Sequence, residues 1–192
     1  MKNIFFATSN PNKFEEARNV LSEYGIKITR VNIKATEIQT DNIEDVAVVS
    51  VIQASQMGFL PVFVEDAGLF INALNGFPGP FSSYVYRTIG AEGVLKLLEG
   101  EKNRLSKFKS SVAFYASNGL KKIFSGEVTG KISEEKRGTN GFGFDPIFVP
   151  IDGDGRTFAE MTMEEKNALS HRANALKKLA KWYLKISAQG AL

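Results

Sequence analysis

The sequence predicts an α/β protein built on a mixed β-sheet, and three stretches carry that reading. The apolar run at residues 4–7 turns directly into a helical pattern in which Phe14, Ala17, Val20, Leu21 and Tyr24 share one face. A second continuous apolar run, Pro61-Val62-Phe63-Val64, has the length and composition of a buried strand. Residues 108–116 and 121–132 read as two strands joined at Asn118-Gly119, a hairpin signal that interrupts a simple βαβ series.

The elements follow in order. Asn10 suits the N-cap of the first helix, and Pro11 its first position, where a missing N–H costs nothing. Residues 26–33 alternate as a second strand, and Asp41 or Asn42 caps a helix running to about Gly58. The strand at 61–64 ends in Glu65-Asp66-Ala67-Gly68. Asn75-Gly76-Phe77-Pro78-Gly79-Pro80 is a loop with unusual backbone demands, followed by helices at 82–88 and 91–99. After the hairpin, a glycine-rich loop at 138–146 leads into Ile147-Phe148-Val149. Thr162 and Glu165 form a capping box, and a final helix to about Ile186 places Leu169, Leu176, Leu179, Ala180 and Tyr183 on one face.

Composition narrows the classes of function. A chain of 192 residues without cysteine excludes disulfides, thiolate metal sites and cysteine nucleophiles, and one histidine excludes a multi-histidine zinc site within the chain. No apolar run approaches a membrane span, and the N-terminus has no signal-peptide pattern, so a cytoplasmic protein without a membrane partner is expected. A net charge of +3 is too small to indicate nucleic acid, and Lys177, Lys181 and Lys185 read as a solvated helix face. Gly126-Glu127-Val128-Thr129-Gly130-Lys131 is one residue short of a phosphate-binding loop and lacks the following serine or threonine.

Three clusters carry candidate chemistry. Thr8, Ser9, Asn10, Pro11, Asn12 and Lys13 gather polar groups where a helix begins, a place receptive to phosphate; the same residues also suit a capped helix with Lys13 solvated. Glu65 and Asp66 leave a buried strand side by side, which demands solvation, pairing or a metal, and such hard oxygen donors suit Mg²⁺. Glu37, in a loop after the second strand, either joins them or is a solvated acid. Lys166, Ser170, His171 and Arg172 form a second set of donors near a helix junction, and the whole suits a nucleoside triphosphate.

With these pieces in place, the chain resembles the inosine triphosphate pyrophosphatase family. Four ordered motifs carry the resemblance from residue 3 to about residue 186: Thr8 to Lys13, Glu65-Asp66-Ala67-Gly68-Leu69, Gly141-Phe142-Gly143-Phe144-Asp145-Pro146-Ile147-Phe148, and Glu164-Glu165-Lys166 through Ser170-His171-Arg172. Phe77-Pro78-Gly79 also matches.

The resemblance implies a long mixed sheet flanked by helices, in one two-lobed domain over residues 1–192 with a central substrate cleft, assembled as a homodimer. It implies Mg²⁺-dependent hydrolysis of ITP, dITP and XTP to the monophosphate and pyrophosphate. Thr8 to Lys13 would bind the triphosphate; Glu37 and Asp66 would hold the metal; Asp66 would also take the proton of the attacking water, with Lys13 and Glu65 in support. Ala67 would contact substrate through its backbone, and Phe142, Gly143, Phe144, Asp145, Lys166, His171 and Arg172 would surround base and sugar, with Phe142 or Phe144 stacking on the base. Two positions depart from the family pattern: Gln53-Ala54 stands where a lysine is common, and Ala67 where a serine is frequent.

Overall fold

The computed structural model describes residues 3–33 and 38–190. Its elements run β1 (Asn3–Ala7), α1 (Pro11–Ser22), β2 (Lys27–Val31), α2 (Ile43–Gln56), β3 (Val62–Ile71), β4 (Pro78–Gly79), α3 (Ser82–Thr88), α4 (Gly90–Leu97), β5 (Leu105–Tyr115), β6 (Lys121–Ile132), β7 (Phe148–Pro150), α5 (Met163–Leu169) and α6 (His171–Ala188). The strands form one mixed sheet in the order β2-β1-β3-β5-β6-β7, with β4 also on β3. Strand β1 runs parallel to both β2 and β3, whereas β4 on β3 and β7 on β6 are antiparallel. This is the α/β mixed sheet that the sequence predicts.

The chain divides into two compact units: residues 1–66, 110–126 and 172–192 in the first, and 67–109 and 127–171 in the second, so the boundary falls within β3, β5 and β6 and after the first residue of α6. In the first unit, Ile4 and Phe6 of β1 pack with Ala17, Val20 and Leu21 of α1 and with Leu176, Leu179, Ala180 and Tyr183 of α6. Phe6 and Phe63 stack with ring centroids 4.3 Å apart, which fixes neighbouring strands by a large apolar contact. In the second unit, Phe108, Phe148 and Phe158 form the centre of a core that also takes Val94, Leu98, Phe144 and Ile147.

Local chemistry explains where the helices start. The Asn10 side chain accepts from the N–H groups of Asn12 and Lys13 at 2.9 and 3.2 Å, with Pro11 at the first helical position. Asn42 caps α2 through the Glu44 N–H, and Thr162 and Glu165 form the reciprocal box that opens α5. The hairpin turns as its residues predict, with Gly119 at φ +84° and the Asn118 side chain accepting from Leu120 N–H.

Two expectations are corrected. Strand β3 does not stop at Glu65-Asp66 but continues to Ile71, so the two acids lie in mid-strand. What permits this in the second unit is Gly68, where a Cβ would overlap the Gly79 carbonyl, and Ser82, whose hydroxyl accepts from Leu69 N–H and donates to Gly79 O. The helix junction expected near Ser170 is present, but Leu169 falls before it: Ser170 takes an extended ψ of 151° and ends α5, so Leu169 does not belong to the final helix. Leu169 therefore packs in the second unit's core, and only Leu176, Leu179, Ala180 and Tyr183 share the α6 face in the first.

Candidate active site

In the first unit, the turn after β1 is tied down by its own residues. Thr8 donates its N–H to Val31 O, and its hydroxyl oxygen accepts from Asn10 N–H at 3.1 Å. Because Asn10 already holds the Asn12 and Lys13 N–H groups, an anion here would meet the cap as well as the helix N-terminus. Ser9, Pro11 and Asn12 are exposed or partly so around this turn.

Lys13, one turn into α1, reaches the acids of β3. Its Nζ donates to the Glu65 carbonyl at 3.1 Å, lies 3.0 Å from Glu65 Oε2, and stands 4.0 Å from Asp66 Oδ1. The Glu65 side chain is almost wholly buried, whereas that of Asp66 is 27% exposed. On the other side of Glu65, the Ser110 hydroxyl of β5 donates to Oε1 at 2.6 Å and Arg172 Nε lies 3.1 Å from the same oxygen. Arg172 donates through Nη1 to the buried carboxylate of Glu16 on α1. Burial alone would lower the guanidinium pKa, but the Glu65 and Glu16 carboxylates reverse this and hold it above the usual range.

These contacts form a chain Glu16–Arg172–Glu65–Lys13–Asp66 that links three carboxylates and two cations. Asp66 is the most exposed of the three carboxylates and presents a hard oxygen donor toward solvent. That donor suits a cation such as Mg²⁺, which takes one or two carboxylates, keeps waters and binds substrate phosphates. Glu65 is engaged by Arg172, Ser110 and Lys13 and serves the neighbouring charges instead. Glu37, expected beside Asp66, lies outside the described residues. Among the described residues no three potential ligands cluster closely enough to make a metal cage.

The second unit holds the other set. Asp145 is buried and accepts from Phe142 N–H at 2.8 Å and from Lys166 Nζ at 2.6 Å, so its carboxylate closes the glycine-rich loop on α5. Gly141 has φ +72°, and a Cβ there would strike the Asp145 carboxylate, which explains the glycine. Lys166 Nζ lies 4.9 Å from the Phe142 ring centroid, a cation–π contact that holds this aromatic over the loop. His171 is buried and stacks on Phe108 at 4.6 Å.

Two sequence assignments change character. Phe144 is 3% exposed and meets Tyr86 edge-on at 5.4 Å within the core, so its ring is not presented for stacking; Phe142, partly exposed, is. Arg172, expected at the base edge, directs its guanidinium to Glu16 and Glu65 in the first unit. The sequence motifs give no role to Glu16 or Ser110. The signal for Glu16 is an acid one position before Ala17 and four before Val20, on the apolar face of α1, where a charge requires a partner.

Residues 4–182 match the Ham1 family. The chain belongs to the Ham1 family. This Ham1 protein is 49% identical over 180 residues to the dITP/XTP pyrophosphatase of Methanopyrus kandleri, covering 94% of this chain and 95% of that protein. It is 52% identical over 179 residues to the dITP/XTP pyrophosphatase of Pyrococcus horikoshii, covering 93% and 95%. Among solved structures, a HAM1 protein from Coxiella burnetii superposes with a TM-score of 0.81 at 33% identity, over 96% of this chain and all of that one.

Proposed function

We propose that this Ham1 protein is a nucleoside triphosphate pyrophosphatase that hydrolyses dITP, ITP and XTP at the α–β phosphoanhydride, giving the monophosphate and pyrophosphate. The observation that carries this is the near-full-length identity to relatives named dITP/XTP pyrophosphatase, together with the Lys13–Glu65–Asp66 arrangement. The chain acts as one catalytic domain over residues 1–192, and a divalent metal is required.

Residues Thr8 to Lys13 take the triphosphate. Lys13 is held by Glu65 and offers its charge to the leaving pyrophosphate, while Asp66 orients the attacking water and accepts its proton. Asp66, with Glu37, holds the metal, which is Mg²⁺; when bound it supplies charge neutralisation on the phosphates. Ala67 contributes a backbone contact. Phe142, Gly143, Asp145, Lys166 and His171 serve the base and sugar, with Phe142 as the stacking ring. Hypoxanthine and xanthine present a 6-oxo acceptor where adenine presents a donor, so donors fixed at that edge discriminate by leaving the wrong base unpaired. Gln53, where a lysine is common, reduces affinity for phosphate and not the type of reaction.

The test is pyrophosphate release from dITP, ITP, XTP, GTP and ATP, with Mg²⁺ and with EDTA. Release confined to the first three and abolished by EDTA is the expected outcome. Orthophosphate as the product, or equal turnover of ATP, would contradict it.

The protein works as a homodimer in the cytoplasm, without nucleic-acid or membrane partners. Support for the dimer comes from Phe77, Phe81, Tyr84 and Ile89, large apolar side chains exposed within thirteen residues of the second unit. Absence of cysteine suits a reducing compartment, and no helix among the described residues is long and apolar enough to cross a membrane. Tyr84→Glu is expected to reduce the mass in light scattering from twice 21.1 kDa to that of one chain. A parent protein that is monomeric at micromolar concentration would remove the dimer.

A further inference from the structure

We propose that Phe108 is a positioning residue for base recognition: its ring fixes the plane of the His171 imidazole and thereby the direction of that side chain's donor. The inference rests on the function proposed above and deepens it by naming what holds one of the groups that serve the base. The sequence motifs give Phe108 no role.

Both side chains are buried, Phe108 in β5 and His171 at the start of α6. Their rings stack with centroids 4.6 Å apart and planes 12° from parallel. Phe108 is itself held: Phe148 tilts against it at 4.6 Å, and Phe158 stacks beside it at 6.3 Å. The Lys166 ammonium lies 5.6 Å from the Phe158 ring centroid, so one aromatic cluster of the second unit supports both Lys166 and His171. The N–H of an imidazole lies in the plane of its ring. A flat plate against one face therefore leaves His171 only directions within that plane in which to donate.

The consequence is for selectivity. A donor held in one direction satisfies the 6-oxo group of hypoxanthine and opposes the 6-amino group of adenine, whose N–H is left without a partner. Leucine at position 108 fills part of the volume but offers no flat face, so the imidazole tilts and turns aside for the wrong base. Discrimination suffers more than the chemical step, because Lys13 and Asp66, which serve the phosphates, belong to the first unit.

The experiment compares Phe108→Leu with Phe114→Leu, a control for lost packing that removes a fully buried ring from the first unit's core. In Phe108→Leu the ratio of kcat/KM for dITP to that for dATP is expected to fall about tenfold, with kcat for dITP within about twofold of the parent. In Phe114→Leu the ratio stays at the parent value. The chain has one histidine, so the His171 ring protons give NMR signals that need no assignment among others. Shielding by the Phe108 face should hold them upfield of their positions in the urea-unfolded protein, and Phe108→Leu should move them back toward those positions. If leucine prevents folding, Phe108→Met, with its adaptable side chain, takes its place. Parent signals with no upfield shift, an unchanged ratio in Phe108→Leu, or the same fall in Phe114→Leu would overturn the proposal. A parent protein that releases no pyrophosphate would sink the proposed function instead, and the NMR signals with equilibrium binding of dITP and dATP would still judge Phe108.

Discussion

Asp66→Asn is expected to lower pyrophosphate release from dITP by about a thousandfold, within the range lost when a general base is removed. The substitution is close to isosteric, and the side chain is 27% exposed, so the amide remains hydrated and no buried group is stranded. Glu65 keeps Lys13 at 3.0 Å and Arg172 at 3.1 Å, so the rest of the charge chain stays in place. Thermal unfolding of the variant should therefore match the parent within a few degrees while kcat collapses. The same change at Glu65 would be harder to read, because it weakens the anchors of Lys13 and Arg172 together. Near-normal turnover in Asp66→Asn would remove Asp66 from proton transfer, whatever its effect on metal affinity.

Features governed by neighbours along the chain are legible in the residues themselves. Asn10-Pro11 and the Thr162/Glu165 box start helices through contacts spanning three residues, and the apolar faces of α1 and α6 follow from a 3.6-residue period. Strand β3 is not legible beyond Val64, because Glu65 is tolerated in mid-strand only through partners 45, 52 and more than a hundred residues away. The effect of Ser170, at the expected helix junction, is hidden for a related reason. Its extended conformation sends Leu169 and Leu176 into different cores, while a helical wheel drawn through both places them together. At the candidate site, motifs name the acids, Lys13 and Arg172, but a cation in a polar motif carries no record of which carboxylates it meets, so the pairing of Arg172 with Glu16 and Glu65 is seen only in the fold. Phe144 shows the same limit: two phenylalanines two residues apart look equivalent, and only packing against Tyr86 places one of them in the core.

Arg172→Met is expected to destabilise the protein by about 3–5 kcal/mol, because it strands buried carboxylates instead of removing a surface charge. Glu16 is 4% exposed and Glu65 7%, and the guanidinium meets them through different nitrogens, Nη1 and Nε. Lysine cannot copy that fork, so Arg172→Lys should recover only part of the loss. For a chain of 192 residues the methionine variant should melt about 10 °C below the parent. Base selectivity, by contrast, should change little in whatever variant protein remains folded, because this arginine is committed to acids of the first unit. A methionine variant as stable as the parent would mean that desolvation of the three charged groups cancels their attraction. The buried chain would then serve to orient Glu65 without adding to stability. A variant that kept its stability but accepted ATP as readily as dITP would return Arg172 to the base edge.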